Sequence, residues 1–175
     1  MEIYLGILIL IIVIIIIMYN RLIKLNLRCQ NALASIDNQL KRRADLIPNL
    51  VSVTKGYAEY ESKTLIEVIN KRNESVIDKA NNDKEIHDNL TKLFALSEDY
   101  PDLKANEIFK KLQIELTGTE DKIAYARQFY NDSVQYFNSA IMTFPNNLLA
   151  NIMKYKEKEY FKATEEEKKV VKVSL

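Results

Sequence analysis

The order of apolar and polar residues changes character once, near residue 20. Before that point the chain is continuously apolar: the seventeen residues Ile3 to Tyr19 carry no charge. As a helix rising ~1.5 Å per residue this run spans ~25 Å, a little short of a ~30 Å hydrocarbon core. Leu22, Ile23 and the snorkelling stems of Arg21 and Lys24 close the gap. Ile3, Leu8, Ile12, Ile16 and Tyr19 are therefore expected to span a membrane. Glu2 precedes the run and Met18-Tyr19-Asn20-Arg21 follows it, where a secretory signal would have a basic start and a small-residue cleavage site. Length and flanks favour an uncleaved anchor over a cleaved signal or a buried core helix.

After the anchor, apolar residues recur every three or four positions. Leu22, Leu25, Cys29, Ala32, Leu33, Ile36 and Leu40 make one apolar face, and no Gly or Pro interrupts positions 7 to 47, so the anchor is expected to continue as a single helix to about residue 47. Pro48 lacks an amide hydrogen and disfavours helical geometry at Ile47, which predicts a stop and a restart there, with Asp45 as N-cap, in preference to a kink. Leu50, Val51, Val53, Tyr57, Ala58, Leu65, Val68, Ile69, Val76 and Ile77 then predict a second long helix ending near residue 80. Asn82 or Asp83 can cap a third, with Ile86, Leu90, Leu93, Phe94 and Leu96 inward, and 97–102 breaks the chain. A fourth helix is expected to turn Ile108, Leu112, Leu116, Ile123, Tyr130, Val134, Phe137 and Ile141 to the core, and a short last helix to cover Leu148 to Phe161. The fold class is all-α: an N-terminal transmembrane helix continuous with a long-helix antiparallel bundle of about four to five helices. The division is anchor 1–20, helical bundle 21–163 and a charged tail 164–175, in which Val170, Val171 and Val173 look extended.

Composition narrows the function more than it widens it. Lys and Arg number 25 against 24 Asp and Glu, net +1, which advertises no nucleic-acid surface. The cations Arg21, Lys24 and Arg28 sit just after the apolar run, so the positive-inside rule places the amino terminus outside and the main domain in the cytoplasm. Cys29, the single cysteine, permits no intramolecular disulfide and reads as packing. His87 is the single histidine, so a di-iron bundle cannot be assembled, and Gly6, Gly56 and Gly118 are too far apart for a phosphate loop. No catalytic, metal-binding or cofactor-binding constellation emerges, no cofactor is expected, and an enzyme is not expected.

Polar residues on the fourth helix stand out instead. Tyr130-Asn131 and Phe137-Asn138 repeat seven apart, with Arg127 one turn before Asn131. Either these amides sit at packed positions and specify register or partner number, as in a coiled coil, or they lie at the bundle edge. Asp37, Gln39, Arg42, Arg43 and Asp45 form a second polar group, readable as a buried ion network or a surface belt. Their distance from the anchor, at least ~25 Å along a straight helix, argues against lipid headgroups.

The stretch Asp37-x-Gln39-Leu40-Lys41-Arg42-Arg43-x-Asp45-Leu46-Ile47-Pro48-Asn49-Leu50-Val51, with Lys55-Gly56-Tyr57-Ala58, resembles the signature of the LemA family. The match resumes at Tyr100-Pro101-Asp102-Leu103-Lys104-Ala105, Glu120, Ala126-Arg127, Tyr130-Asn131, Val134, Asn138, Phe144-Pro145, Ala150, Tyr160-Phe161 and Lys172-Val173-Ser174. Departures are Leu33 for a common Trp, Tyr60 for a frequent His, Lys154-Tyr155 for a Gly-Phe pair, and Leu175 for a final Phe. The resemblance implies a bacterial inner-membrane protein with one amino-terminal span, a helical domain facing the cytoplasm and no established enzymatic activity. The expected role is a structural or interaction protein that self-assembles or scaffolds at the membrane; the alternative is a regulatory adaptor or ligand-binding module. The expected partners are the membrane, further copies of the chain and another membrane protein, with no nucleic acid.

Overall fold

A computed structural model describes residues 1–55 and 79–161. Among these there is no strand, and the chain is all-α. Helix α1 runs Glu2–Lys55, α2 Lys79–Leu96, a single 3-10 turn Ser97–Asp99, α3 Pro101–Ala105, α4 Glu107–Met142 and α5 Asn146–Ile152. The apolar anchor is thus the first part of a 54-residue helix that continues into the bundle. The rest of the expected second helix (Tyr57, Ala58, Leu65, Val68, Ile69, Val76, Ile77) and the tail 164–175 lie outside the described residues.

The described residues divide into two compact units. The first combines Met1–Asp37 with Ala124–Phe161. In it α1 and α4 run antiparallel and bury Leu22, Cys29, Val134, Phe137, Ala140, Ile141 and Ala150, with Leu25, Tyr130 and Tyr155 packed against them. The second, over residues 38–55 and 79–123, buries Ile47, Leu50, Val51, Leu90, Leu93, Leu103, Phe109, Leu112 and Leu116. Buried hydroxyls in these helices are satisfied locally: Thr54, Thr119 and Ser133 each donate to the carbonyl four residues earlier, at 2.7 Å.

Several expectations are corrected. The helix does not stop at Pro48; the proline lies inside α1. An interior proline costs a helix about 3 kcal/mol. Here Ile47, Leu50 and Val51 flank it and are all buried, and each buried aliphatic side chain returns ~1.5–3 kcal/mol, so the packing outweighs the lost bond. Asn82 and Asp83 lie within α2, so neither begins it. Leu33 is exposed, because Ala32 and Ile36 define the covered stripe. On α4 the core face is set one residue later than Ile108: Phe109 is 1% exposed and Ile108 61%. The start of that helix explains the shift. Asn106 Oδ1 accepts from the Ile108 and Phe109 amides at 2.9 and 3.1 Å, capping the first turn and pointing the Phe109 ring edge-on to Phe94 at 6.4 Å.

The last helix is also shorter than its apolar pattern implied. It ends at Ile152, and residues 155–161 are not helical. Lys154 takes φ 55°, its amide donates to Asn151 and the Tyr155 amide donates to Ala150, at 3.1 and 3.0 Å. That is a Schellman stop, a position that favours glycine.

Because Phe109 and not Ile108 faces the core, Phe109→Ala should cost about 3–5 kcal/mol in urea unfolding while Ile108→Ala stays within about 0.5 kcal/mol of the parent. Equal costs would contradict the assigned face.

Candidate functional site

The polar residues at seven-residue spacing on α4 hold the non-helical segment that follows α5. The Asn138 amide pairs with both backbone groups of Lys158: its Nδ2 donates to the carbonyl and its Oδ1 accepts from the amide, each at 2.9 Å. Asn131 does the same to Phe161, at 3.1 and 2.8 Å. Tyr130 Oη donates to the Glu159 carbonyl at 3.1 Å. The repeat has a metric reason. Seven helical residues advance ~10.5 Å and three extended residues ~10 Å, so Asn131 and Asn138 meet positions 161 and 158 only if the strap is extended and antiparallel to α4. Each amide supplies the hydrogen bonds that helix or sheet would otherwise give this backbone.

Rings and cations close the strap's side chains over the same face. Tyr155 meets Phe137 edge-on with centroids 5.4 Å apart, Lys158 Nζ lies 5.2 Å from the Phe137 centroid, and the Arg127 guanidinium lies 4.7 Å over Phe161. Arg28, expected as an orientation charge, places its guanidinium 5.0 Å from the Phe129 ring and 5.5 Å from Tyr136. Its charge therefore also joins α1 to α4. Burial pushes the Cys29 thiol up, with Lys158 and Arg28 pulling the other way, and burial likewise raises Tyr130. Cys29 is a neutral buried thiol, which suits packing rather than nucleophilic chemistry.

The second unit has its own polar group. Arg43 is buried and its Nη1 donates to Glu120 Oε1 at 2.9 Å; the other oxygen of Glu120 lies 3.3 Å from His87 Nδ1. A groove of ≈260 Å³ adjoins this pair, with Leu90, Phe94 and Leu116 as its apolar floor and Thr91, Thr117 and Asp121 at its side.

Of the residues expected from sequence, Arg127, Tyr130, Asn131 and Asn138 come together on the strap. Of Asp37, Gln39, Arg42, Arg43 and Asp45, Arg43 turns inward, Gln39 is half-buried, and Asp37, Arg42 and Asp45 are exposed. Ile3, Leu8, Ile12, Ile16 and Tyr19 are all exposed, as are Arg21 and Lys24. Sequence reasoning missed the strap's backbone at Lys158, Glu159 and Phe161, and the link from His87 to Glu120. Tyr160-Phe161 and Glu120 were visible as positions of the family resemblance, which marks them without saying what they touch. Among the described residues, no group of three or more His, Cys, Asp or Glu is placed to hold a metal ion.

Comparison with known proteins gives a consistent set of matches. A family model described as "LemA family" matches residues 32–175. Magnetosome protein MamQ of Magnetospirillum gryphiswaldense is 26% identical over 174 residues, covering 82% of this chain and 64% of that protein. Magnetosome protein MamQ 1 of Paramagnetospirillum magneticum matches to the same extent. Protein LemA of Metamycoplasma hominis is 28% identical over 158 residues, 85% of this chain and 71% of its own length. The chain thus spans a little under two thirds of the magnetosome relatives.

Two substitutions test the strap. Asn138→Asp keeps the shape but loses the donor to Lys158 and faces a carboxylate to a carbonyl, so it should cost about 1–3 kcal/mol in urea unfolding and speed proteolysis within 155–161, while Gln135→Glu on the exposed face stays within about 0.5 kcal/mol. Identical behaviour of the two would show that the clamp contributes nothing. Lys154→Gly relieves a left-handed lysine and should raise stability by roughly 0.5–1 kcal/mol, read as a higher melting temperature; no gain would mean that the lysine stem offsets the strain.

Proposed function

We propose that this chain, which belongs to the LemA family, is a membrane-anchored, non-enzymatic structural protein that assembles with copies of itself or scaffolds other membrane proteins. The observation that carries this reading is α1. Its most apolar eighteen-residue window has mean hydropathy 2.9 and holds no residue buried by the other described residues, yet the same helix continues without interruption into buried core positions. An apolar surface of that length left in water would drive aggregation, and a bilayer is the solvent that suits it.

The finer reading is single-pass, in the inner membrane of a bacterium, with the amino terminus outside and the helical units in the cytoplasm. The cations Arg21, Lys24 and Arg28 on one side of the run support that orientation. Confinement to two dimensions raises effective concentration, so even weak contacts between copies suffice for assembly. The exposed aliphatic groups at Ile114 and Ile108 offer such contacts.

A second reading, a regulatory adaptor or ligand-binding module, draws support from the groove beside His87 and Glu120. Its occupant would be an apolar side chain presenting a cation to Glu120 and Asp121.

Crosslinking in membranes followed by mass measurement of the full-length protein separates the two. Self-assembly predicts chain-to-chain products and particles heavier than one chain at all concentrations. Monomers throughout, with no crosslinks, would overturn it. The adaptor reading predicts products with a different protein that disappear in Thr117→Arg, which fills the groove mouth, while assembly is unchanged.

A further inference from the structure

The corner between α4 and α5 is as apolar as a membrane-facing surface, and nothing among the described residues covers it. Phe144 is 79% exposed and Ile152 78%, with Met142 and Leu148 also open. Leu148 and Ile152 stand four apart, on one face of α5. This face lies beside the anchor: Ile11, Ile14, Ile15 and Met18 of α1 and Leu148 and Ile152 of α5 line a shared apolar cleft of ≈370 Å³.

Its level along α1 can be measured against the first cation. Met18 and Ile11 precede Arg21 by three and ten residues, so the cleft lies ~4.5 to ~15 Å on the hydrocarbon side of that charge. The sequence around the corner obeys the same boundary. No charged residue occurs between Asp132 and Lys154, whereas Lys154, Lys156 and Lys158 follow immediately. Arg28 stacks on Phe129 and Tyr136, which fixes the antiparallel offset and places the charge-free end of α4 alongside the anchor. A bilayer that accepts Ile11 to Met18 also meets Leu148 and Ile152, which line the same cleft, with Phe144 next in the chain to Pro145 of that cleft.

We propose that the α4–α5 corner is a second membrane-inserted element, with Met142, Phe144, Leu148 and Ile152 immersed among the acyl chains of the leaflet next to the helical units and Lys154 and Lys156 at its headgroup boundary. The occupant of the cleft is a lipid acyl chain: it has the apolar character of both walls, and the cleft is continuous with the uncovered surface of α1. The chain then holds the membrane at two points of one unit, so the first unit cannot swivel freely about the span. This rests on the reading of α1 as an anchor.

The protein contains no tryptophan, so each introduced one reports alone. Phe144→Trp, Leu148→Trp, Ile14→Trp and Tyr125→Trp are made in the full-length chain and reconstituted into phosphatidylethanolamine–phosphatidylglycerol vesicles whose acyl chains carry bromine. Phe144→Trp and Leu148→Trp are expected to emit in the blue and to lose fluorescence to brominated lipid as Ile14→Trp does, and to resist aqueous iodide. Tyr125→Trp, well exposed on α4, should respond to iodide alone. Quenching of the corner residues by iodide and not by brominated lipid overturns the proposal. Protection from both quenchers overturns it too, because a second copy would then cover the corner. If Ile14→Trp also escapes the brominated lipid, the anchor reading itself has failed; if Ile14→Trp is quenched and the corner is not, only the second insertion has.

Discussion

The structure depends on how one long helix is covered along its length. Among the described residues no side chain of α1 from Ile3 to Ile17 is buried, α4 and the strap cover Leu22 and Cys29, and α2 and α4 cover Ile47, Leu50 and Val51. Helical propensity alone would not hold 54 residues through an interior proline. Burial of the stripe on both sides does, and the uncovered part follows the same helix into a solvent of matching polarity. Membrane attachment and core formation are therefore two uses of one apolar surface.

α4 supplies the complementary surface and adds polar specificity to it. Its apolar positions make the contact with α1, while Asn131 and Asn138, at the border of that contact, each pair with both backbone groups of one strap residue. A buried amide is costly unless satisfied, and these are satisfied at both ends. The cost of mispairing disfavours other registers of the strap: a slip of one residue would take the backbone groups of Lys158 and Phe161 away from both amides. Arg127 over Phe161 and Lys158 over Phe137 then close a face that could otherwise remain open at the end of the bundle.

Polar groups of the same kind are used differently in the second unit. Arg43 enters the core with Glu120 as partner, and Glu120 extends the link to His87 at the rim of a groove. The neighbouring Arg42 and Asp45 stay in water. Rotation about the helix axis separates these outcomes: position 43 lies on the stripe that carries Ile36, Ile47 and Leu50, and positions 42 and 45 do not. An arginine that must sit on a buried stripe needs a carboxylate, and α4 provides one.

The sequence by itself determined whatever depends on local order. The charge-free run from Ile3 to Tyr19, its cationic flank, the absence of turn residues and the three-and-four spacing were enough for an anchor, an all-α class and the inward faces of α1 and most of α4. The repeat of Asn131 and Asn138 was visible too, though not its purpose. Only the tertiary structure decided that α1 passes through Pro48, that Phe109 displaces Ile108 from the core, and that Tyr155 to Phe161 is a strap instead of a helix. For the proline and the strap the deciding partners are remote in sequence, namely the core that Leu50 joins and amides 20 and 30 residues away from Lys158 and Phe161; at Phe109 the local cap from Asn106 acts together with the ring of Phe94. Periodicity states which side of a helix is apolar. It does not state what will cover that side, and it cannot register a backbone whose hydrogen bonds are supplied by another helix's side chains.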